Sequence, residues 1–109
     1  MAAKIRAQAY PAATTLTALY TVGANILAFL RVLTISNHAA ADCTVRVSIA
    51  PLGAADANAQ YLRYDMLVPA NDGIDIPLFG TELIATDVVR VYSSNATTSF
   101  GLYGGEADV

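Results

Sequence analysis

The chain reads as a single all-β domain, a β-sandwich or jelly-roll-like domain of about eight short antiparallel strands. Three observations predict this. Apolar and polar residues alternate with period two along most of the sequence, and the three-and-four spacing of a surface helix is almost absent. Turn-forming clusters such as Val22-Gly-Ala-Asn25 and Pro69-Ala-Asn-Asp-Gly73 recur roughly every eight to twelve residues, the rhythm of a small sandwich. The length, 109 residues, leaves room for one core and not two, so 1–109 is read as one domain.

The elements follow in order. Residues 1–16 form an N-terminal arm or a peripheral strand, Lys4–Tyr10, ended by Pro11. Thr17–Val22 is a second strand. Ile26–Asn37 is the longest and is apolar on both sides: Ile26, Ala28, Leu30 and Val32 share one face, and Leu27, Phe29, Arg31, Leu33 and Ile35 the other. Such a strand is either central between two layers or short of cover on one face. An Ala-rich loop containing His38 leads to Cys43–Ala50, which alternates cleanly with Cys43, Val45, Val47 and Ile49 inward. After the Pro51–Ala59 loop, Gln60–Val68 places Leu62, Tyr64 and Met66 opposite Tyr61, Arg63 and Asp65. Ile74–Leu78 is expected at an edge because Pro77 cannot donate to a ladder. Asp87–Ser93 and Thr97–Tyr103 complete the set, and Gly104-Gly105 is expected to release a short acidic tail over 104–109. Val22-Gly-Ala-Asn25 followed by Val45-Arg-Val47 is echoed by Val68-Pro-Ala-Asn71 followed by Val89-Arg-Val91. The echo has two readings: related strand arrangements facing each other across the core, or chance recurrence in a Val-rich β protein.

Charge excludes some functions. Charged residues make up 14% of the chain, against about 25% in an average soluble domain, while 55% are hydrophobic. A chain so poor in charge is expected to cover part of its surface with partners. A net charge of −3 and scattered cations argue against nucleic acid. The uncharged stretch 7–30 is interrupted by Pro11, Gly23 and Asn25, so no membrane span is expected, and the N-terminal residues lack the apolar core of a signal peptide.

No chemistry-bearing motif is complete. His38, Asp42 and Cys43 are neighbours in sequence, but Cys43 heads an alternating strand and is expected to pack as a small hydrophobe. One Cys and one His are too few for zinc, and Asp72 and Asp75 around Gly73 lack the ligand spacing of a calcium loop. Gly101-Leu-Tyr-Gly-Gly105 opens no helix, so it is no phosphate loop. No catalytic, cofactor or metal residue is assigned, and the expectation is a non-enzyme. Tyr10, Tyr20, Tyr61, Tyr64, Tyr92 and Tyr103 lie in or beside strands, where a ring can pack and a hydroxyl stay wet at an interface. The mid-strand arginines either face solvent or form ion pairs across a subunit contact, with Asp65, Asp87 or Glu82 as partners.

With these segments in view, the chain resembles small β-sandwich virion proteins of tailed bacteriophages. The likeness runs through Ala12–Val22, where the family tends to Thr-Leu-Tyr-Thr-Val-Pro, then Arg46–Ala55, Gln60–Asp65, Val68–Asp72, Ala85–Tyr92 and Ser99–Gly104. Gly23 departs from the family's Pro. The resemblance implies a structural role as a head decoration (cement) protein, or else as a tail, baseplate or fibre component. It implies self-association, as a homotrimer, contacts with the major capsid protein or other virion proteins, and a place in the virion after synthesis in the host cytoplasm. A carbohydrate- or host-surface-binding module is the remaining alternative. The expected interface is the odd face of the long strand, Leu27, Phe29, Arg31 and Leu33, joined by Tyr10, Tyr61, Arg63 and the N-terminal arm.

Overall fold

The computed structural model describes residues 3–108, which form eight strands in two antiparallel sheets. The strands are β1 (Ala3–Ala9), β2 (Thr17–Thr21), β3 (Ile26–Asn37), β4 (Cys43–Ala50), β5 (Tyr61–Val68), β6 (Gly73–Leu83), β7 (Val88–Ser93) and β8 (Thr98–Asp108). One sheet has the order β1-β8-β3-β6 and the other β2-β7-β4-β5. Two interlocked four-stranded sheets in this order make a jelly roll. The β-sandwich expected from the period-two pattern is therefore present, and β3 is central in its sheet, paired with β6 and β8.

The Val-x-Ala-Asn echo acquires a structural meaning here. Asn25 (φ 58°) and Asn71 (φ 54°) both occupy the left-handed region, which Asn tolerates better than most residues. Each ends a turn that carries the chain from the β2-β7-β4-β5 sheet to the other, into β3 and β6 respectively. β3 pairs with β6, and β4, which holds Val45 and Val47, pairs with β7, which holds Val89 and Val91. The units β2–β3–β4 and β5–β6–β7 thus occupy equivalent places side by side, each contributing to both sheets, and do not face each other across the core.

A bulge at Arg31 overturns the two faces expected of β3. Leu30 pairs with Gly104 and Val32 with Tyr103, so Arg31 is an extra residue against β8. On the other side Leu30 pairs with Thr81 and Val32 with Pro77, leaving Leu78, Phe79 and Gly80 opposite Arg31. Before the bulge Ala28 and Leu30 are buried; after it the buried residues are Leu33 and Ile35. β6 changes phase at the same level, from Ile76 and Leu78 to Leu83, so the core stays sealed. Leu33 is accordingly in the core, and the odd-numbered residues of β3 do not form one surface. A bulge of one residue reverses the phase of alternation, so residues two apart across it lie on opposite faces.

The core is filled by Leu30, Leu33, Ile35, Val45, Val47, Val68, Val89, Val91, Phe100 and Leu102, with Cys43 among them. One end of the sandwich is closed by Asn37, which is 2% exposed. Its Nδ2 donates to the carbonyls of Ala41 (2.9 Å), Val68 (3.2 Å) and Pro69 (3.2 Å), and its Oδ1 accepts from the Ala39 amide (3.0 Å) and Asn95 Nδ2 (3.2 Å). One side chain so ties three loops together. Asp87 does similar work at the other end, accepting from the amides of Leu52 (2.8 Å) and Ile84 (2.9 Å). Within the chain it therefore clamps two loops.

Both ends of the described residues are built into the sheet. Residues 3–9 take the peripheral-strand alternative, paired along their length with β8. Gly104-Gly105 does not release a tail: β8 runs on to Asp108, held between Ala3–Ile5 and Ile26–Leu30. Gly104 serves close approach at the bulge, where an added Cβ would collide with the Phe29 carbonyl. The Tyr20 hydroxyl donates to Glu106 Oε2, joining the two sheets at this seam. Burial, reinforced by Glu106, pushes the Tyr20 hydroxyl well above the ordinary tyrosine range.

Candidate functional site

The residues weighed for chemistry are dispersed. Cys43 is buried with its Sγ 3.5 Å from Thr98 Oγ1. His38 is exposed, with Nε2 3.1 Å from Ser99 Oγ and its ring edge-on to Tyr10. Asp42 accepts from the Ala70 amide and Asp72 from the Gly73 amide, both acting as turn caps. Among the described residues no three His, Cys, Asp or Glu side chains stand close enough to hold a metal ion. The features left are two outer sheet faces.

On the β2-β7-β4-β5 sheet, Arg46 of β4 pairs with Tyr92 of β7, and both side chains face outward. β5 arrives with two register shifts, so that the single residue Arg46 stands opposite both Tyr64 and Asp65, the latter at φ 52°. The shifts undo the expected division of Gln60–Val68 into two regular faces and bring four groups together. The Arg46 guanidinium lies 4.2 Å from the Tyr64 ring centroid and 4.4 Å from that of Tyr92. Arg46 Nε donates to Asp65 Oδ1 at 2.7 Å, and Nη2 to Oδ2 at 3.4 Å. Asp65 is thus an intrachain partner of a mid-strand arginine. Tyr61 meets Tyr64 edge-on at 5.0 Å and donates its hydroxyl to Asp56 Oδ2 at 2.9 Å. Partial burial, then Asp56, raises the Tyr61 hydroxyl above the ordinary tyrosine value. Charge pairing and double stacking hold these side chains rigid, so a partner binding them loses little side-chain entropy. Alongside, Leu62, Tyr64 and Leu67 of edge strand β5 are 39%, 56% and 56% exposed.

The outer face of the β1-β8-β3-β6 sheet has a different character. The Tyr103 ring divides two shallow hollows. One, about 410 Å³, is lined by Gln8, Tyr10, Thr34, Ser99 and Gly101. The other, about 450 Å³, is lined by Lys4, Ile5, Arg6, Arg31, Val32 and Gly104. Three of the six cations of the chain meet in this second hollow, and none has a carboxylate partner among the described residues.

The expected interface residues are therefore split. Tyr10 and Arg31 are exposed and Leu27 and Phe29 half-buried on the β1-β8-β3-β6 sheet; Tyr61 and Arg63 belong to the other sheet, and Leu33 to the core. Sequence reasoning passed over Arg46, Tyr64, Tyr92 and Leu67 as a group, because their meeting depends on the β5 register shifts. Comparisons of the chain with family models, with curated proteins and with solved structures found no match.

Proposed function

We propose that the chain is a non-enzymatic structural protein of a bacteriophage virion, a head decoration (cement) protein that stabilises the capsid through protein–protein contacts. Sequence resemblance supports the virion context. The observation that carries the packing role is the rigid Tyr61–Tyr64–Arg46–Tyr92 band beside exposed Leu62 and Leu67. Tyr and Arg are the residues that most often anchor protein interfaces, and Leu67 and Tyr64 extend the apolar area around them. β5 is an open edge, yet its register shifts and the Asp65 charge interrupt the ladder that strand addition needs. Contact through side chains therefore fits this edge better than sheet extension.

The test is add-back of purified chain to particles assembled without it. Wild type should bind the particles, and a Tyr64→Ser, Leu67→Ser variant should bind roughly a hundredfold more weakly, as loss of two anchors implies. Equal binding by both, or no binding by either, contradicts the proposal. A carbohydrate-binding module is the second reading, favoured by the hollow of about 400 Å³ between Asn58, Tyr61 and Tyr64. Binding of a glycan panel by the free chain, lost in Tyr64→Ser, would support it.

A further inference from the structure

Phe79 is 91% exposed and sits at φ 52°, followed by Gly80 at φ 78°. A bulky aromatic residue in the left-handed region is strained, and its full exposure forfeits apolar burial as well. At 91% exposure the ring gains almost no cover from the other described residues. Phe79 projects from the bulge of β6, an edge strand, and the same strand carries Asp75 and Glu82 on either side of it, both exposed and without a cationic partner among the described residues. Across the same sheet, from β1 over β8 to β3, runs the hollow beside Tyr103, lined by Ile5, Val32 and Gly104 and by Lys4, Arg6 and Arg31, which have no carboxylate partner among the described residues.

We propose that this hollow receives Phe79 of a second copy of the chain. The two surfaces match in two ways. The hollow, about 450 Å³, lies within the roughly 300–1,000 Å³ range of ligand clefts and is wide enough for a phenyl ring. The knob is flanked by anions and the hollow by cations, which favours this docking over self-contact of either patch. Although the hollow reaches Arg31 on β3, the strand next to β6, Phe79 is 91% exposed and so fills no part of the hollow of its own chain, which leaves the ring free for a second copy. Phe79 then packs between Tyr103 and the arginine planes, and Asp75 and Glu82 face Lys4, Arg6 and Arg31. Both patches are distinct from the Tyr64 band, which remains free for a different partner. The inference rests on the reading of the chain as an assembling subunit but not on its place in a virion.

Sedimentation of the full chain across the micromolar range tests this. Wild type should self-associate, and Phe79→Gly should weaken association about thirtyfold or more, as removal of an interfacial anchor does. Because Gly accepts positive φ, this variant should keep the wild-type circular dichroism and melting temperature. Arg6→Glu should weaken association, and adding Glu82→Arg in the same chain should restore it. A wild type that remains monomeric, a Phe79→Gly variant that associates like wild type, or a charge swap without rescue would overturn the inference. A monomeric chain that still binds particles through Tyr64 would sink this proposal alone and leave the proposed function standing.

Discussion

Gly104 and the carbonyl of Phe29 meet across the β3–β8 bulge so closely that no side chain fits between them. The contact marks where β3 switches which residues it buries, and thereby where Arg31 is turned out to the surface. Gly104→Ala should push the backbone of β8 away and destabilise the fold by about 1–3 kcal/mol, the usual effect of overpacking. Urea unfolding measures this. A change below about 0.5 kcal/mol, the scatter of neutral substitutions, would show that the bulge yields freely.

Asn37 anchors three loops through one amide. Asn37→Ala leaves the carbonyls of Ala41, Val68 and Pro69 without that donor and should cost roughly 2–4 kcal/mol. Faster amide exchange should appear in the loops around 38–42, 69–72 and 94–97. Unchanged protection there would contradict the clamp.

Arg46 is held by a carboxylate and two rings at once. Arg46→Lys keeps the charge but loses the planar fork and the stacking, and should lower the urea midpoint of unfolding. The tyrosine environment should change with it, visible in near-ultraviolet circular dichroism. An unaltered spectrum would mean that Tyr64 and Tyr92 are positioned without Arg46.

The pH response follows from Tyr20 and Tyr61, both shifted upward chiefly by burial. A hydroxyl with a raised folded-state value binds its proton more tightly in the native chain than in the unfolded one. The associated stability is fully present below the ordinary tyrosine value of about 10 and is lost as pH rises through the folded-state values. Tyr20→Phe should therefore flatten the alkaline loss above about pH 10 while lowering neutral stability by about 1 kcal/mol through the lost bond to Glu106. Identical alkaline profiles for the two proteins would rule out Tyr20 as a contributor.

The inward residues of β7, most of β8 and β4 as far as Val47 were legible because alternation there keeps one phase. Beyond Val47 a register shift buries Ser48 and Ala50 and leaves Ile49 half-buried, against the expected inward Ile49 and outward Ser48. Cys43, Val45 and Val47, and likewise Val89 and Val91, are buried as their spacing implies. β3, β5 and β6 were not legible in detail. Arg31, the pair Tyr64-Asp65 and the pair Phe79-Gly80 each sit at a register irregularity, and no local pattern shows which partner strand will lack a matching residue. A hint existed in Gly104-Gly105: two consecutive glycines within an alternating run indicate close backbone approach as readily as a chain end. The candidate surfaces inherit the same limit. Tyr and Arg could be marked as interface types from composition, but their grouping into a band on β4, β5 and β7 and a cationic hollow on β1, β3 and β8 required the register.

On the proposed function, this jelly roll packs against a different protein through the Tyr64–Arg46–Tyr92 face of its β2-β7-β4-β5 sheet. A density map of intact particles that contain the chain tests it most directly. The domain should lie on the particle surface with Tyr64 and Leu67 covered by another virion protein. Particles lacking the chain, or density in which that face points into solvent, would contradict it.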